Sequence, residues 1–530
     1  MCSYRIGIDV GGTHTDAVLL DENYHVVTEV KHPTTEEVST GIYEALKKVI
    51  RGSGVAVEDI HYAMLGTTHC TNAIVERKRL NKVAVIRIGA PATLAIKPMV
   101  GVPDDLRAIL DQHTYIVKGG HEFDGREIVE LDQAEIYKIA YEIKGKVDSV
   151  AITSVFSPVS NQHELRVAEI LMEVLGDEIP LSLSSEIGSV GLIERENATI
   201  LNASVVDVAR TTANGFTQAL KREGVDAKVF FGQNDGTLMS VEYTVKYPIL
   251  TIACGPTNSL RGASYLTDQS DALVVDVGGT TTDIGVLISK FPRQSSLAVE
   301  VGGVRTNFRM PDIVSIGLGG GTIIEVLDDG EIKVGPESVG HRLPEKSLIF
   351  GGETLTTTDV AVALGIADLG DREKVSHLDQ DLLQRVYAKM VEMLEEAIDK
   401  IKTSSEPVPV VLVGGGSILF PNDLKGASEV LKPNHFGVAN AMGAAISQVS
   451  GQVERIFSMD ELGREKTLEQ AKDMAREEAI KAGADPSDLT IVDLEDVPLS
   501  YVPGNATKIR VKAAGTLLKT RKEEYTGTVK

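Results

Sequence analysis

The sequence predicts an α/β protein of two facing lobes with a small α/β appendage at its C-terminal end. Three observations lead there. The octapeptide DVGGTHTD at residues 9–16 returns as DVGGTTTD at residues 276–283. Each copy lies between two apolar runs, so each reads as a buried strand, a tight glycine turn and a second strand, with no helix after the turn. Elsewhere, short apolar strand-like runs alternate with segments of helical period. A hairpin repeated in the two halves of one chain points to a duplicated fold.

The chemistry of the octapeptide follows from its residue types. Gly11 and Gly12, with Gly278 and Gly279 in the second copy, remove Cβ atoms, so backbone N–H groups can approach an anion closely. Thr13 and Thr15, and likewise Thr280, Thr281 and Thr282, add hydroxyl donors. Asp9 and Asp276 stand at strand ends, where a hydrated Mg2+ can take one or two carboxylates together with phosphate oxygens. Each hairpin therefore offers half of a phosphate clamp. The plainer reading is a glycine hairpin with no ligand, but turn geometry alone does not require the same Asp and Thr twice.

At 530 residues the chain has room for two or three domains. Its 42% hydrophobic and 24% charged residues are those of a soluble globular protein. The net charge of −23 argues against a nucleic-acid-binding face. Cys2, Cys70 and Cys254 form no CxxC pair, which argues against a structural zinc site, an iron–sulfur cluster or a disulfide framework. A polar N-terminus that enters a strand at once is not a signal peptide, and no run reaches the length of a membrane span. No membrane association and a cytoplasmic location are the expectations.

After the first hairpin, a short strand covers residues 24–30, and Thr34 with Glu37 forms a capping box for a helix whose face is Val38, Ile42, Ala45, Leu46 and Val49. A strand ends at Leu65, and the loop 66–70 presents Thr67, Thr68 and His69 at a helix N-terminus, a place suited to a carbonyl or phosphate oxygen or to simple capping. A strand at 82–89, a Pro/Gly/Asp-rich insertion at 90–130, a helix at 132–146 and a buried strand at 149–156 follow. His163 reads as a capping residue of the next helix. Residues 191–209 read as one long helix with Glu194, Arg195, Asn197 and Thr199 near its head. After the second hairpin, SIGLGGGT brings Gly317, Gly319, Gly320 and Gly321 to a turn closed by Thr322. Thr356–Asp359 caps a helix, and 379–403 is amphipathic. The strand VPVVLV then ends in Gly414, Gly415, Gly416 and Ser417, where bare backbone can lie flush on a flat ligand. Small residues dot the helix 438–449, permitting a close helix crossing. From about residue 451 a charged helix (464–482) and strands near 490–493 and 509–513 form the appendage. The expected divisions are 1–190, 191–450 and 451–530.

The paired motif resembles that of the actin/Hsp70/sugar-kinase ATPase superfamily, whose members hold ATP between two ribonuclease-H-like lobes. Further stretches resemble the A subunits of the hydantoinase/5-oxoprolinase family: LGTTHCTNAIVERKRL, SVAITSVFSPVSNQHELRVAEI, IERENATILNA, CGPTNS, GLGGGTIIEVLDDGEIKVGPESVG and GGETLTTTDVAVALG, in the family's order over roughly residues 5–445. The chain departs from the family at His14, at Cys254-Gly255-Pro256-Thr257 and at Ala198, and its C-terminal region is short.

The resemblance implies an ATP- and Mg2+-dependent hydrolase subunit that phosphorylates the carbonyl oxygen of a cyclic amide, imide or related substrate, with a separate partner subunit completing the reaction in a homo- or hetero-oligomer. It implies Asp9, Asp276 and Asp283 as metal-holding and catalytic carboxylates. Backbone groups of Gly11–Thr13 and Gly278–Thr281 would hold phosphates, and Gly414–Ser417 the adenosine. Thr67, Thr68, His69 and the Gly319–Thr322 turn would face the acceptor. Two other classes stay open at this point: a small-molecule kinase of the sugar-kinase type and a non-enzymatic ATP-driven switch. No GxxxxGK[ST] run is present, which excludes a P-loop.

Overall fold

Ile6, Ile8 and Val10 line one face of the strand Tyr4–Val10 and Gly7 and Asp9 the other; the strand is paired on both edges and its last five residues are buried. His14–Leu20 returns antiparallel to it, pairing Asp9 with Asp16 and Val10 with Thr15. The second hairpin repeats that register. Ala272–Val277 and Thr282–Ile288 pair Asp276 with Asp283 and Val277 with Thr282. Even the turn bond is repeated: Gly11 N–H donates to His14 O and Gly278 N–H to Thr281 O, both at 2.9 Å.

A computed structural model describes residues 3–33, 38–110, 113–295, 299–308, 310–327, 330–499 and 505–518. The Thr34–Glu37 capping box and Cys2 lie outside these residues; the described helix there is Val38–Ser53.

Each hairpin opens the same five-stranded plan. In the first lobe the order is 26–33, 14–20, 4–10, 60–66 and 228–232, with the last two parallel to the first strand. In the second lobe it is 313–316, 282–288, 272–277, 408–413 and 427–431, again with the last two parallel to the first. The two-lobed α/β duplication is therefore present strand for strand. A parallel four-stranded sheet, in the order 113–118, 83–90, 149–154 and 181–183, is inserted between the fourth and fifth strands of the first lobe.

Three placements differ from the expected divisions. The fifth strand of the first lobe, Lys228–Gly232, lies well beyond residue 190. The expected long helix breaks at Val205 (φ −117°, ψ 11°) into Leu192–Ser204 and Val206–Arg222, and the second piece packs Phe216 and Leu220 into the first-lobe core. The C-terminal appendage joins the first lobe: the short strand Leu238–Ser240 beside Lys228–Gly232, then Val449–Phe457, Thr507–Leu517 and Ala484–Pro498, extend its sheet to nine strands. The strand Val449–Phe457 was hidden by its glycine and its charges. Gly451 is what allows the join. A Cβ there would overlap the backbone of Ala479, and Ala471, Ala475 and Ala479 of the helix Arg464–Ala482 are fully buried against that strand's side of the sheet.

Two short-residue helices cross at the centre. Cys254–Thr267 and Ala439–Ile446 pack so closely that a Cβ on Gly262 would overlap Ala439 O, and one on Gly443 would overlap Asn258 O. That crossing aims the side chains of both helices at the two hairpins.

Candidate functional site

The two glycine elbows meet. A Cβ built on Gly279 would come within 2.6 Å of Thr13 Cγ2, so the second elbow's backbone lies against the first elbow's threonine. Both Asp9 and Asp276 face this junction from the ends of their strands. A glycine stands beside each: Gly66 from the neighbouring parallel strand and Gly414 just beyond its counterpart. A Cβ at either would overlap the adjacent carboxylate Oδ1. The duplication thus extends from the elbow to the space cleared for its carboxylate.

The crossing helices supply the partners of these carboxylates. Asn258 Nδ2 donates to Asp9 Oδ1 (3.0 Å), and Asn440 Nδ2 bridges Asp9 Oδ2 (3.1 Å) and Asp16 Oδ2 (3.0 Å). Ser259 Oγ donates to Asp276 Oδ2 at 2.5 Å. Lys31 Nζ reaches Asp16 Oδ1 at 2.8 Å and Gly437 O at 2.9 Å. Burial is the main force pushing Asp9 up to about 6 and Asp276 up to about 7. Like-charge repulsion adds to it, from Asp16 at the first and from Asp283 and Asp9 at the second. Burial also raises Asp283. Amide and hydroxyl donors oppose these shifts without cancelling them. Buried, mutually repelling carboxylates at a glycine-cleared junction are a donor set that fits a hard divalent cation.

The other expected residues divide into two groups. Gly414, Gly415, Gly416 and Ser417 do come to the second elbow. Gly414 turns the chain at φ +80°, which a side chain would resist, and would-be Cβ atoms on Gly416 and Gly415 meet Val277 Cγ1 (2.6 Å) and Lys31 Cε (3.4 Å). Ser417 is fully buried, and its Oγ has no partner among the described residues. Gly319 and Gly320 come to the elbow as well, but their N–H groups are spent inside the protein. Gly319 N–H donates to Thr322 Oγ1 (2.7 Å) and Gly320 N–H to Gly278 O (3.0 Å), with Gly321 N–H on Gly279 O (2.7 Å). The glycine turn braces the second elbow from behind.

Thr67, Thr68 and His69 sit at the end of the strand beside the first elbow. Thr68 Oγ1 donates to Val10 O at 3.4 Å. Thr67 Oγ1 accepts His69 N–H (3.2 Å), leaving its own proton for His69 Nδ1, which is in contact with it. Burial, then the positive charge of Arg79, lowers the His69 pKa to about 4, so the ring is neutral. Cys254 Sγ closes the loop by accepting from Thr67 N and donating to Thr67 O, each at 3.3 Å.

Three residues singled out in the sequence belong elsewhere. Arg195 is buried and donates to Ser184 Oγ (3.0 Å), Ser154 O (2.7 Å) and Ser189 O (3.0 Å). It clamps the inserted sheet. Glu194 instead lies 3.6 Å from Arg305. His163 does not cap its helix: its Nδ1 accepts Gly120 N–H (2.9 Å) and its Nε2 lies 3.3 Å from Glu127 Oε1. With His121 these form a His–Glu–His cluster, but the Gly120 bond commits His163 to the Nε2–H tautomer, so Nε2 is a donor to Glu127 and has no lone pair for a metal.

Asn258, Ser259, Asn440 and Lys31 were not anticipated. The stretch CGPTNS contained the first two, yet nothing in it says which atoms they meet.

Comparison with known proteins then decides the kinship. The sequence model of the hydantoinase/oxoprolinase N-terminal region matches residues 5–175, and that of hydantoinase/oxoprolinase matches residues 195–370. The chain belongs to the hydantoinase/oxoprolinase family. Relatives include an uncharacterized protein of Methanocaldococcus jannaschii, 27% identical over 75% of this chain and 62% of its own length. Another is the caprolactamase subunit alpha of Pseudomonas jessenii, 25% identical over 86% of this chain and 67% of its own. The chain therefore spans about two thirds of these relatives. Among solved structures, the ATP-dependent caprolactamase of Pseudomonas jessenii aligns at TM-score 0.76 and 19% identity over 97% of this chain and 88% of that one. Acetone carboxylase, from a study of ATP-dependent acetone carboxylation, aligns at 0.69 and 18% over 98% and 88%. At such identities these two show the fold. In this family member the fold brings the paired elbows together at Thr13 and Gly279.

Proposed function

We propose that this chain is the ATP-using subunit of a carbonyl-activating enzyme. It would transfer the γ-phosphate of ATP to the carbonyl oxygen of a cyclic amide or related acceptor. The observation that carries this reading is the meeting of the two elbows at Thr13 and Gly279, with Asp9 and Asp276 behind them. The family relatives that use ATP on a lactam or a ketone support it.

An amide carbonyl is a poor electrophile, and a phosphorylated oxygen leaves readily. Phosphoryl transfer itself asks mainly for positioning and charge stabilisation. Gly11, Gly12, Thr13, Gly278, Gly279, Thr280 and Thr281 would hold the phosphates between the elbows. Gly414, Gly415, Gly416 and Ser417 would lie along the adenosine. Asp9, Asp276 and Asp283 would hold Mg2+, which when bound neutralises phosphate charge. Asn258, Asn440 and Ser259 keep the carboxylates oriented. Thr68 would face the acceptor from the first elbow, and His69, neutral and buried, would hold that loop in place.

In the proposed step the carbonyl oxygen bonds to the γ-phosphorus as the bond to ADP breaks, giving an O-phosphorylated imidate. The amide N–H proton is lost as the imidate forms. Water added at the carbon gives a tetrahedral adduct, and the ring nitrogen picks up a proton and leaves as the amine to give an acyl phosphate. A second water at that carbon releases phosphate bearing the original carbonyl oxygen. The relative named as a subunit alpha supports a separate partner chain for that second half. No helix among the described residues is long and apolar enough to cross a membrane.

The test follows one oxygen atom. A lactam labelled with 18O at its carbonyl is turned over with ATP by this chain and its co-purified partner. Label in the released phosphate is the expected result. ATP consumed with unlabelled phosphate sinks the proposal, and a stable phosphorylated product favours a small-molecule kinase.

A further inference from the structure

The chain passes from the second lobe back to the first through one short turn. Ala427–Leu431 is the last strand of the second-lobe sheet. The helix Ala439–Ile446 beyond the turn packs Ala441, Met442 and Ala445 on Val18 and Leu20 of the first lobe. Three consecutive residues of the turn are tied, and the ties alternate between the lobes. His435 Nδ1 lies 2.6 Å from Glu29 Oε2 on the first-lobe edge strand Val26–Pro33. Phe436 O accepts Gly414 N–H of the second lobe at 2.9 Å. Gly437 O accepts Lys31 Nζ, from the edge strand again, at 2.9 Å.

Of the two first-lobe ties, Lys31 is the better built. Its ammonium group has three protons, and three acceptors take them: Asp16 Oδ1 at 2.8 Å, Asp16 Oδ2 at 3.1 Å and Gly437 O. The Asp16 side chain is only 5% exposed. Asn440, in the first turn of the helix that follows Gly437, bridges Asp16 to Asp9 at 3.0 and 3.1 Å. Lys31, Gly437, Asn440 and Asp16 therefore close a ring with Asp9 on its far side. Across the turn, Gly414 clears the space for Asp276 Oδ1, and a Cβ on Gly415 would meet Lys31 Cε at 3.4 Å. A bonded route thus runs from Asp9 through Lys31 to the glycine turn beside Asp276, outside both elbows. The Glu29–His435 pair is exposed on both sides, a kind of contact that stabilises little by itself.

A lysine with every proton committed is a strut and has none to spare for a ligand. Bonded in this way, it fixes the separation between the Asp9 side of the junction and the Gly414–Ser417 turn. A ligand that spans two subsites gains from both at once only when the span matches its own length, so a strut between them shows in the spanning ligand and not in its parts. We propose that Lys31 is a positioning residue for ATP: it keeps the Gly414–Ser417 turn in register with the elbows, so that one nucleotide engages the adenosine turn and the phosphate elbows together. The proposal rests on the carbonyl-activating reading and adds to it a residue that touches neither nucleotide nor acceptor.

The test takes ATP apart. ATP, adenosine and tripolyphosphate, each with Mg2+, are titrated into the full chain, by calorimetry for ATP and by NMR for the two halves. Lys31→Met leaves the buried Asp16 carboxylate without its cation, so Lys31→Arg and Glu29→Ala, an exposed position, accompany it. Lys31→Met is expected to weaken ATP by a factor of about 10 or more, while adenosine and tripolyphosphate each stay within about twofold. Lys31→Arg, with donors for the same acceptors, is expected to restore most of the loss. Glu29→Ala is expected to weaken ATP by about two- to fivefold, the scale of an exposed pair, and to leave both halves unchanged. Unchanged ATP affinity in Lys31→Met overturns the proposal, and if that variant does not fold, unchanged ATP affinity in Glu29→Ala does so. Tripolyphosphate weakened as much as ATP also overturns it, because Lys31 would then act on the phosphates directly. These results leave the carbonyl-activating reading in place. A wild-type chain that binds none of the three ligands removes that reading and the proposal with it.

Discussion

Gly279 lies against Thr13, the second elbow's bare backbone on the first elbow's side chain, with 2.6 Å between Thr13 Cγ2 and the place a Cβ would occupy. Its counterpart in the first elbow, Gly12, has open space in that direction, with nothing within 4 Å. The same glycine therefore does two jobs in the two copies. Gly279→Ala is expected to push the elbows apart, lowering the thermal midpoint of the free protein and cutting ATP turnover at least tenfold. Gly12→Ala is expected to leave the midpoint of the free protein within about 1 °C, since it touches nothing, while weakening nucleotide binding at least fivefold. Differential scanning calorimetry and nucleotide titration separate the two effects. Equal behaviour of the two variants would show that no ligand lies over Gly12.

Removing either buried carboxylate tests the metal. Asp9→Asn and Asp276→Asn keep the size of the side chain and discard the charge; at Asp9 the new amide can accept from only one of Asn258 and Asn440. Each is expected to lower ATP turnover by a factor of about 100 or more, the scale of losing one preorganised electrostatic group, with the circular dichroism spectrum unchanged. Chelation of divalent cations from the wild type is expected to give the same loss, restored by adding Mg2+. Wild-type turnover in both variants would remove these residues from the chemistry.

The helix crossing sets the aim of Asn258, Ser259 and Asn440. Gly443→Ala or Gly262→Ala puts a methyl group into the backbone of the opposing helix. Overpacking of this kind costs about 1–3 kcal/mol, and chemical denaturation is the measurement. Turnover should fall further than stability explains, because the amide donors to Asp9 shift with the helices. A neutral effect in either variant would mean that the helices can part without consequence.

His69 predicts a pH dependence. Its folded pKa, lowered from 6.5 to about 4 by burial and then by Arg79, lies below that of the unfolded chain. The unfolded state thus binds a proton first as pH falls, so the stability held above pH 6.5 is lost between about 6.5 and 4. One pKa unit is 1.36 kcal/mol, so the full loss is roughly 3 kcal/mol. In His69→Asn the slope of unfolding free energy against pH over that interval should be shallower by one proton. Identical slopes would place the ring in contact with water.

The elbows were legible because everything that makes them lies within eight residues. Two glycines, a threonine and an aspartate at fixed spacing specify a turn and its donors, and repetition of the set specified two lobes. The helix Arg464–Ala482 and the capping box of Thr356 with Asp359 were equally local, and the structure shows both where they were expected. The SIGLGGGT turn was legible as a turn, but not the use of its N–H groups: Gly319 gives its own to Thr322 within the turn, while Gly320 and Gly321 give theirs to Gly278 and Gly279, some forty residues away. His163 misled for the same reason. Its acceptor role is set by Gly120, whose approach no helix-capping rule describes.

Local chemistry in the chain was thus enough to announce two phosphate-sized turns and the carboxylate at each. Folding alone could say that the turns touch, that Asn258 and Asn440 hold Asp9, that Lys31 reaches across to Gly437, and that the last strands extend the first lobe's sheet. The reason is range. A turn is decided by backbone sterics between neighbours, whereas a carboxylate's partners are decided by which helices pack near it. That packing depends on glycines at 262, 443 and 451, whose contribution is the absence of a side chain and whose effect shows only once the opposing backbone has arrived.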